Sequence, residues 1–127
     1  MFGTYALAIR RFDRLPNGDL VHAEDFAQVF GVYPNDKYDS ASYNNIANVI
    51  RAEAGEEAAE EFVKRLLFTI LIGNADMHLK NWSLIYPDRH HAALSPAYDF
   101  VSTIHYLPTD SFALSVAKTK RFSQVDE

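Results

Sequence analysis

The chain has no cysteine among its 127 residues, so neither a disulfide framework nor a thiolate metal site is open to it. That absence fits a reducing compartment, and a cytoplasmic protein is expected. Long hydrophobic runs are missing too. The longest, residues 66–72, is interrupted by Thr69 and covers only about a third of a membrane crossing. No basic n-region precedes the apolar residues of Met1-Phe2-Gly3-Thr4-Tyr5-Ala6-Leu7, so a signal peptide is not expected. Positive charge is in deficit: 12 Lys and Arg against 17 Asp and Glu leave a net charge of −5. Direct nucleic-acid binding, which needs clustered cations on phosphates, is therefore not expected, and the short run Lys118-Thr119-Lys120-Arg121 reads as a solvated face. There is no internal repeat and no low-complexity stretch.

What is present is ordinary for a single globular domain: 48% hydrophobic and 23% charged residues, enough chain for one real core. Tyr5, Leu7 and Ile9 alternate with small residues and read as a strand continuing toward Phe12. Pro16-Asn17-Gly18-Asp19 signals a turn, with Leu20-Val21 pairing back as a short second strand. His22-Ala23-Glu24-Asp25 then reads as the acidic first turn of a helix that carries Phe26, Val29 and Phe30 and stops at Gly31. After a polar loop at 34–39, Ser40 or Ser42 can cap a second helix with Ile46, Val49 and Ile50 at helical spacing.

The clearest element spans residues 55–72. Ala59, Phe62, Val63, Leu66, Leu67, Ile70 and Leu71 recur at spacings of three and four, behind Glu56, Glu57, Glu60 and Glu61. This predicts a long helix, acidic at its positive dipole end and buried nearly all round toward its C-terminus. Gly73 or Asn74 breaks it. Residues 82–86 and 92–95 read as a hairpin around Pro87-Asp88-Arg89-His90, which brings Asn81 and the Pro96-Ala97-Tyr98-Asp99 segment to the same end. Phe112, Leu114 and Val116 alternate as a weak strand signal.

Asp76 and Asn81 stand five residues apart in Gly73-Asn74-Ala75-Asp76-Met77-His78-Leu79-Lys80-Asn81, and Asp99 follows eighteen residues later. That is the order in which a protein-kinase site supplies a base, an Asn for one Mg²⁺ and an Asp for another. An Asn carbonyl with one carboxylate suits Mg²⁺ that draws its other ligands from water and nucleotide phosphates. Asp76 can accept a substrate hydroxyl proton, Lys80 can neutralise phosphoryl charge, and His78 can pin the loop or meet phosphate. The same residues have a plainer reading, since Asp, Asn and Gly make up any loop that ends a helix. Asp99 would then be a turn residue, His78 a satisfied loop histidine and Lys80 a solvent-facing charge. Zinc bound by His78, His90, His91 and His105 is not expected, because none of their spacings is that of a helical His pair.

Residues 73–83 together with Leu94-Ser95-Pro96-Ala97-Tyr98-Asp99-Phe100-Val101-Ser102-Thr103 closely resemble the active-site core of HipA-like serine/threonine kinases, toxins of bacterial toxin–antitoxin systems with a divergent protein-kinase fold. The Asp-x-His-x-x-Asn arrangement also resembles that of phosphatidylinositol kinases. Arg10-Arg11-Phe12-Asp13-Arg14 and His22-Ala23-Glu24-Asp25-Phe26-Ala27-Gln28 are similar to the family's hinge strand and following helix, and Lys37-Tyr38 matches as well. The resemblance implies ATP and Mg²⁺ as cofactors, Asp76 as catalytic base, Asn81 and Asp99 as metal ligands, and His78 and Lys80 as supporting loop residues. It places adenine against the backbone of Arg10 and Phe12, where the family often has an acidic residue in place of Arg10.

A complete kinase also needs a glycine-rich phosphate loop and a strand Lys. Only Gly3 precedes the hinge and the first Lys is Lys37, so a domain truncated at both ends is expected. The expected fold is α+β: a mainly helical partial kinase-like C-lobe over residues 1–127. Its parts are a hinge strand at about 5–14, a catalytic loop at 73–83 and a metal-binding segment at 94–103 borne on a small β-hairpin. Expected partners are a protein substrate such as a translation component, an N-terminal kinase lobe, an antitoxin and a second copy of the chain by self-association, with no membrane. The alternative function is that of an inactive kinase remnant or split-kinase subunit serving as a binding module.

Overall fold

Ser42 is itself extended and caps the helix after it: its side chain accepts from the Asn45 N–H, and the Asn45 side chain accepts from the Ser42 N–H. This reciprocal box starts α2 (Tyr43–Ala54), whose Tyr43, Ile46 and Ile50 are buried. Gly55 separates it from α3 (Glu56–Leu71), which has Glu56 and Glu57 in its first turn, where the macrodipole favours anions. The computed structural model describes residues 6, 8–33, 41–106, 111–116 and 120–121. Ser40, Lys37, Tyr38, Tyr5 and Leu7 lie outside them.

Around this helical pair runs a three-stranded antiparallel sheet in the order β1-β2-β3, with β1 (His22–Asp25), β2 (Ser83–Tyr86) and β3 (Ala93–Leu94). His22 pairs with Tyr86, Asp25 with Ser83, and Leu84 with Leu94. The expected hairpin is present, and Ser95 N–H reaches back to the Ser83 carbonyl at 3.0 Å. Between the layers lies one cluster built on Phe26, Ile46, Ile50, Phe62, Met77, Leu79, Trp82 and Leu84. Each large apolar side chain removed from water there contributes about 1.5–3 kcal/mol.

Four expectations are corrected. Residues 22–25 form a strand rather than a first helical turn. Their main chain pairs with β2, and Asp25 is the N-cap of the short α1 (Phe26–Val29), boxed with Gln28. Gly31 does follow its end. Residues 8–11 are in no strand, and Phe12 and Asp13 lie in a turn. A strand needs hydrogen-bonded neighbours, whereas this segment is organised by Asp13, which takes Arg11 at 2.6 Å and Arg14 at 2.8 Å. Leu20 meets Arg14 through a single antiparallel bridge across the expected 16–19 turn.

Helix α3 is not buried nearly all round. Val63 (55% exposed), Leu67 (55%) and Leu71 (75%) form an open i, i+4, i+8 stripe, with Phe68 beside it, among the described residues. Its other side holds Ala59, Phe62 and Thr69 in the core. Ser115 makes a parallel bridge to Ser42, its carbonyl taken by the first N–H of α2, and the described residues of 112–116 form no named strand. The alternation there still marks burial, with Phe112 and Leu114 inside. No described helix is long and apolar enough to cross a membrane.

Gly73 ends α3 with φ of +65°, a left-handed turn that favours glycine. A Cβ at this position would lie 2.4 Å from Ile104 Cγ2 and 2.9 Å from its Cβ. Gly73→Ala should lower unfolding stability in urea by about 2–4 kcal/mol, from backbone strain and overpacking together. Adding Ile104→Ala should recover the overpacking share only, which a comparison of the two urea midpoints measures.

Candidate active site

Beyond Gly73 the chain enters a tight loop that is tied to the core by its own main chain. His78 N–H donates to the Asp76 carbonyl at 2.9 Å, and Asn81 N–H donates to the His78 carbonyl at 3.0 Å. The Asn81 carboxamide, 7% exposed, donates to the Asp76 carbonyl at 3.1 Å. Leu79–Asn81 form a single 3₁₀ turn, and Leu79 and Met77 plug the core beneath it. Tyr43, from α2, donates its hydroxyl to the Met77 carbonyl at 2.8 Å. Trp82, next to Asn81, meets Phe62 edge-on at 4.6 Å, with Tyr43 and Phe100 each at 6.4 Å. Its indole Nε1 is buried without a hydrogen-bond partner among the described residues.

Asp99 comes from the segment after β3, where Arg65 of α3 holds the Ser95 carbonyl at 2.6 Å. Asp99 is exposed and left-handed, with φ of +59°. Its carbonyl accepts from Asn74 Nδ2 at 3.3 Å, while Asn74 Oδ1 accepts from the Asp76 N–H at 3.1 Å. Further on, Thr103 Oγ1 accepts from the Ala75 N–H at 2.7 Å. Asp76, Asn81 and Asp99 therefore belong to one hydrogen-bonded unit, although the two ligand candidates flank the hairpin rather than lie in it. Among the described residues no group of three or more His, Asp or Glu side chains is gathered for a metal.

Lys80, Arg10 and Phe12 fall into a second cluster. They line a depression of about 380 Å³ together with Asp25, Ser83 and Tyr98. The Tyr98 hydroxyl donates to the Lys80 carbonyl at 2.8 Å and lies 2.6 Å from Ser83 Oγ. Tyr98 precedes Asp99 and Lys80 precedes Asn81, so the two clusters adjoin. His78 is buried in the loop itself, whereas His90, His91 and His105 are exposed and His91 pairs with Asp88 at 2.6 Å.

Sequence reasoning named the candidate chemical groups and missed their holders: Asn74, Thr103, Tyr43 and Tyr98. Three of these stand inside the motif stretches already singled out. A side chain whose work is to bind main chain leaves no spacing signature of its own.

The loop at the end of α3 and the segment after β3 thus bring Asp76, Asn81 and Asp99 into one unit. Residues 1–127 match the family of HipA-like C-terminal domains, and the chain belongs to that family. It is 55% identical to "Putative kinase Y4dM" of Sinorhizobium fredii over 96% of its length, and 34% identical to a "Putative kinase" of Haemophilus influenzae over 80%. It spans 30% and 32% of those two proteins. The HipA of Shewanella oneidensis MR-1, solved with HipB and its operator DNA, shares the fold with a TM-score of 0.78 at 25% identity. That match covers 91% of this chain and 32% of that one.

Burial raises the ionisation of Tyr43 and Tyr98 above the usual phenol range, and Ser83 partly offsets it at Tyr98. A raised folded-state pKa means stability that is complete below the unfolded value of 10.0 and lost as pH climbs through the folded one. Thermal melts from pH 8 upward should therefore show alkaline destabilisation starting near pH 10. Tyr43→Phe/Tyr98→Phe should flatten that fall while costing about 1 kcal/mol per lost hydrogen bond at neutral pH.

Proposed function

We propose that the chain is the catalytic core of a HipA-like serine/threonine kinase that transfers the γ-phosphoryl group of ATP to a protein hydroxyl with Mg²⁺. The observation that carries this reading is the hydrogen-bonded unit of Asp76, Asn81 and Asp99, next in sequence to Lys80 and Tyr98 of the depression that Arg10 and Phe12 also line.

Mg²⁺ suits the donor set. Asn81 spends its carboxamide N–H on the loop, which leaves its Oδ1 for a cation, and Asp99 adds one exposed carboxylate. When bound, the ion neutralises charge on the nucleotide phosphates. Asp76 accepts the proton of the substrate hydroxyl as its oxygen bonds to the γ-phosphorus. The bond from that phosphorus to the β–γ bridging oxygen breaks, and ADP leaves. Lys80 offsets negative charge on the transferred group, and His78 keeps the Asp76–Asn81 loop in register through its main chain. The backbone of Arg10 and Phe12 meets adenine, and a backbone contact tolerates Arg10 where a side-chain ion pair would not.

The acceptor is a protein, with a translation component such as an aminoacyl-tRNA synthetase the class the family likeness favours. An N-terminal lobe supplying the phosphate-gripping elements, in the same polypeptide or another, and an antitoxin complete the proposed set of partners.

Mutation separates the two aspartates in a preparation that contains such a lobe. Asp76→Asn should leave Mg·ATP affinity nearly intact while turnover falls roughly 10²–10⁴-fold. Asp99→Asn should weaken Mg·ATP binding along with turnover, because it removes the charged ligand. Calorimetry beside a phosphoryl-transfer assay reads both. Equal losses of nucleotide affinity would overturn the division of roles, and ATP binding without any transfer would favour the binding-module alternative.

A further inference from the structure

Asn74 is fully buried, at 0% exposure, yet it stands between two exposed carboxylate residues. Its carboxamide is used at both ends. Oδ1 accepts from the main-chain N–H of Asp76 at 3.1 Å, and Nδ2 donates to the main-chain carbonyl of Asp99 at 3.3 Å. We propose that Asn74 is a positioning residue for phosphoryl transfer, a rigid bridge that fixes the candidate base relative to the charged metal ligand. The inference rests on the kinase reading above and adds a residue to it.

The physical case has three parts. Leaving a buried amide or its main-chain partners unsatisfied is costly, so the bridge has one low-energy arrangement. Asp99 is left-handed at φ of +59°, a conformation uncommon outside glycine, and the Asn74 carboxamide Nδ2–H bonds the very carbonyl that this conformation orients. Finally, the other loop holders act elsewhere: Tyr43 binds the Met77 carbonyl, Tyr98 the Lys80 carbonyl, and Thr103 the Ala75 N–H. Tyr98 and Thr103 also tie the Asp99 segment to the loop, but at neighbouring positions, whereas the Asn74 side chain bonds directly to the main chain of both Asp76 and Asp99, across 25 residues of sequence. Misplacement of reacting groups by about 1 Å is enough to cost about 10²-fold in rate.

The test uses Asn74→Ala in the full polypeptide, with Asn74→Ser, too short to span both partners, as the second variant should the first fail to fold. Hydrogen exchange at the Asp76 amide needs no activity and should accelerate about tenfold, the equilibrium worth of one hydrogen bond at the upper end of its range. In the transfer assay kcat should fall about 10²-fold with the KM for protein substrate unchanged, and the Mg²⁺ dependence should move to higher concentration. A merely structural loss would scale turnover alike at every Mg²⁺ concentration and leave that curve in place. Unaltered Asp76 exchange overturns the bridge, and altered exchange with an unmoved Mg²⁺ curve overturns its role in positioning. Wild-type protein that transfers no phosphoryl group to any hydroxyl would instead sink the kinase reading, with Asp76 exchange still deciding whether the bridge exists.

Discussion

Three donors converge on the carbonyl oxygen of Gly73: the N–H of Thr103 at 3.1 Å, the N–H of Ile104 at 3.0 Å and the Thr103 hydroxyl at 3.3 Å. That oxygen sits where helix α3 ends, and the groups it collects belong to a segment 30 residues further along the chain. The loop carrying Asp76 and the segment carrying Asp99 are thus registered on a single atom before any catalytic side chain is considered. Gly73 is left-handed there, and a Cβ in its place would meet the Ile104 side chain, which would have to shift.

From this point the site divides its labour by depth. The groups suited to meet a substrate or a cation, Asp76 and Asp99, are exposed. The groups that hold them, Asn74 and Tyr43 among them, are buried and bonded to main chain. Beneath lies the aromatic nest around Trp82, which begins one residue after Asn81 and joins the loop to α3 through Phe62. Such layering fixes exposed side chains through their backbone.

Much of this was legible before the structure. Helical spacing located α2 and α3, Ser42 announced its cap, and the turn residues at 87–90 marked the hairpin that brings Asn81 and the Asp99 segment to one end. The errors share a physical cause: local pattern reports burial and propensity but not the partner. Residues 22–25 look like an acidic helix start until β2 supplies main-chain bonds. Val63, Leu67 and Leu71 look like core because apolar spacing does not say which face has a neighbour. The alternating 112–116 stretch is buried without a ladder. At the site, order and spacing singled out Asp76, Asn81 and Asp99 as candidates, whereas the buried Asn74 carboxamide between Asp76 and Asp99 was passed over, because Asn beside Gly is what any helix-ending loop contains.

The left-handed backbone at Asp99 has a bearing on descent. Among residues with a side chain, Asp and Asn occupy that conformation most readily, since their short polar groups can bond locally. The position thus tolerates the exchange of a carboxylate for a carboxamide with its main chain undisturbed. Among the described residues no ion pair depends on that one charge. A lineage could exchange Asp99 for Asn and keep a protein equally well packed, so a surviving fold is no guarantee of a surviving reaction.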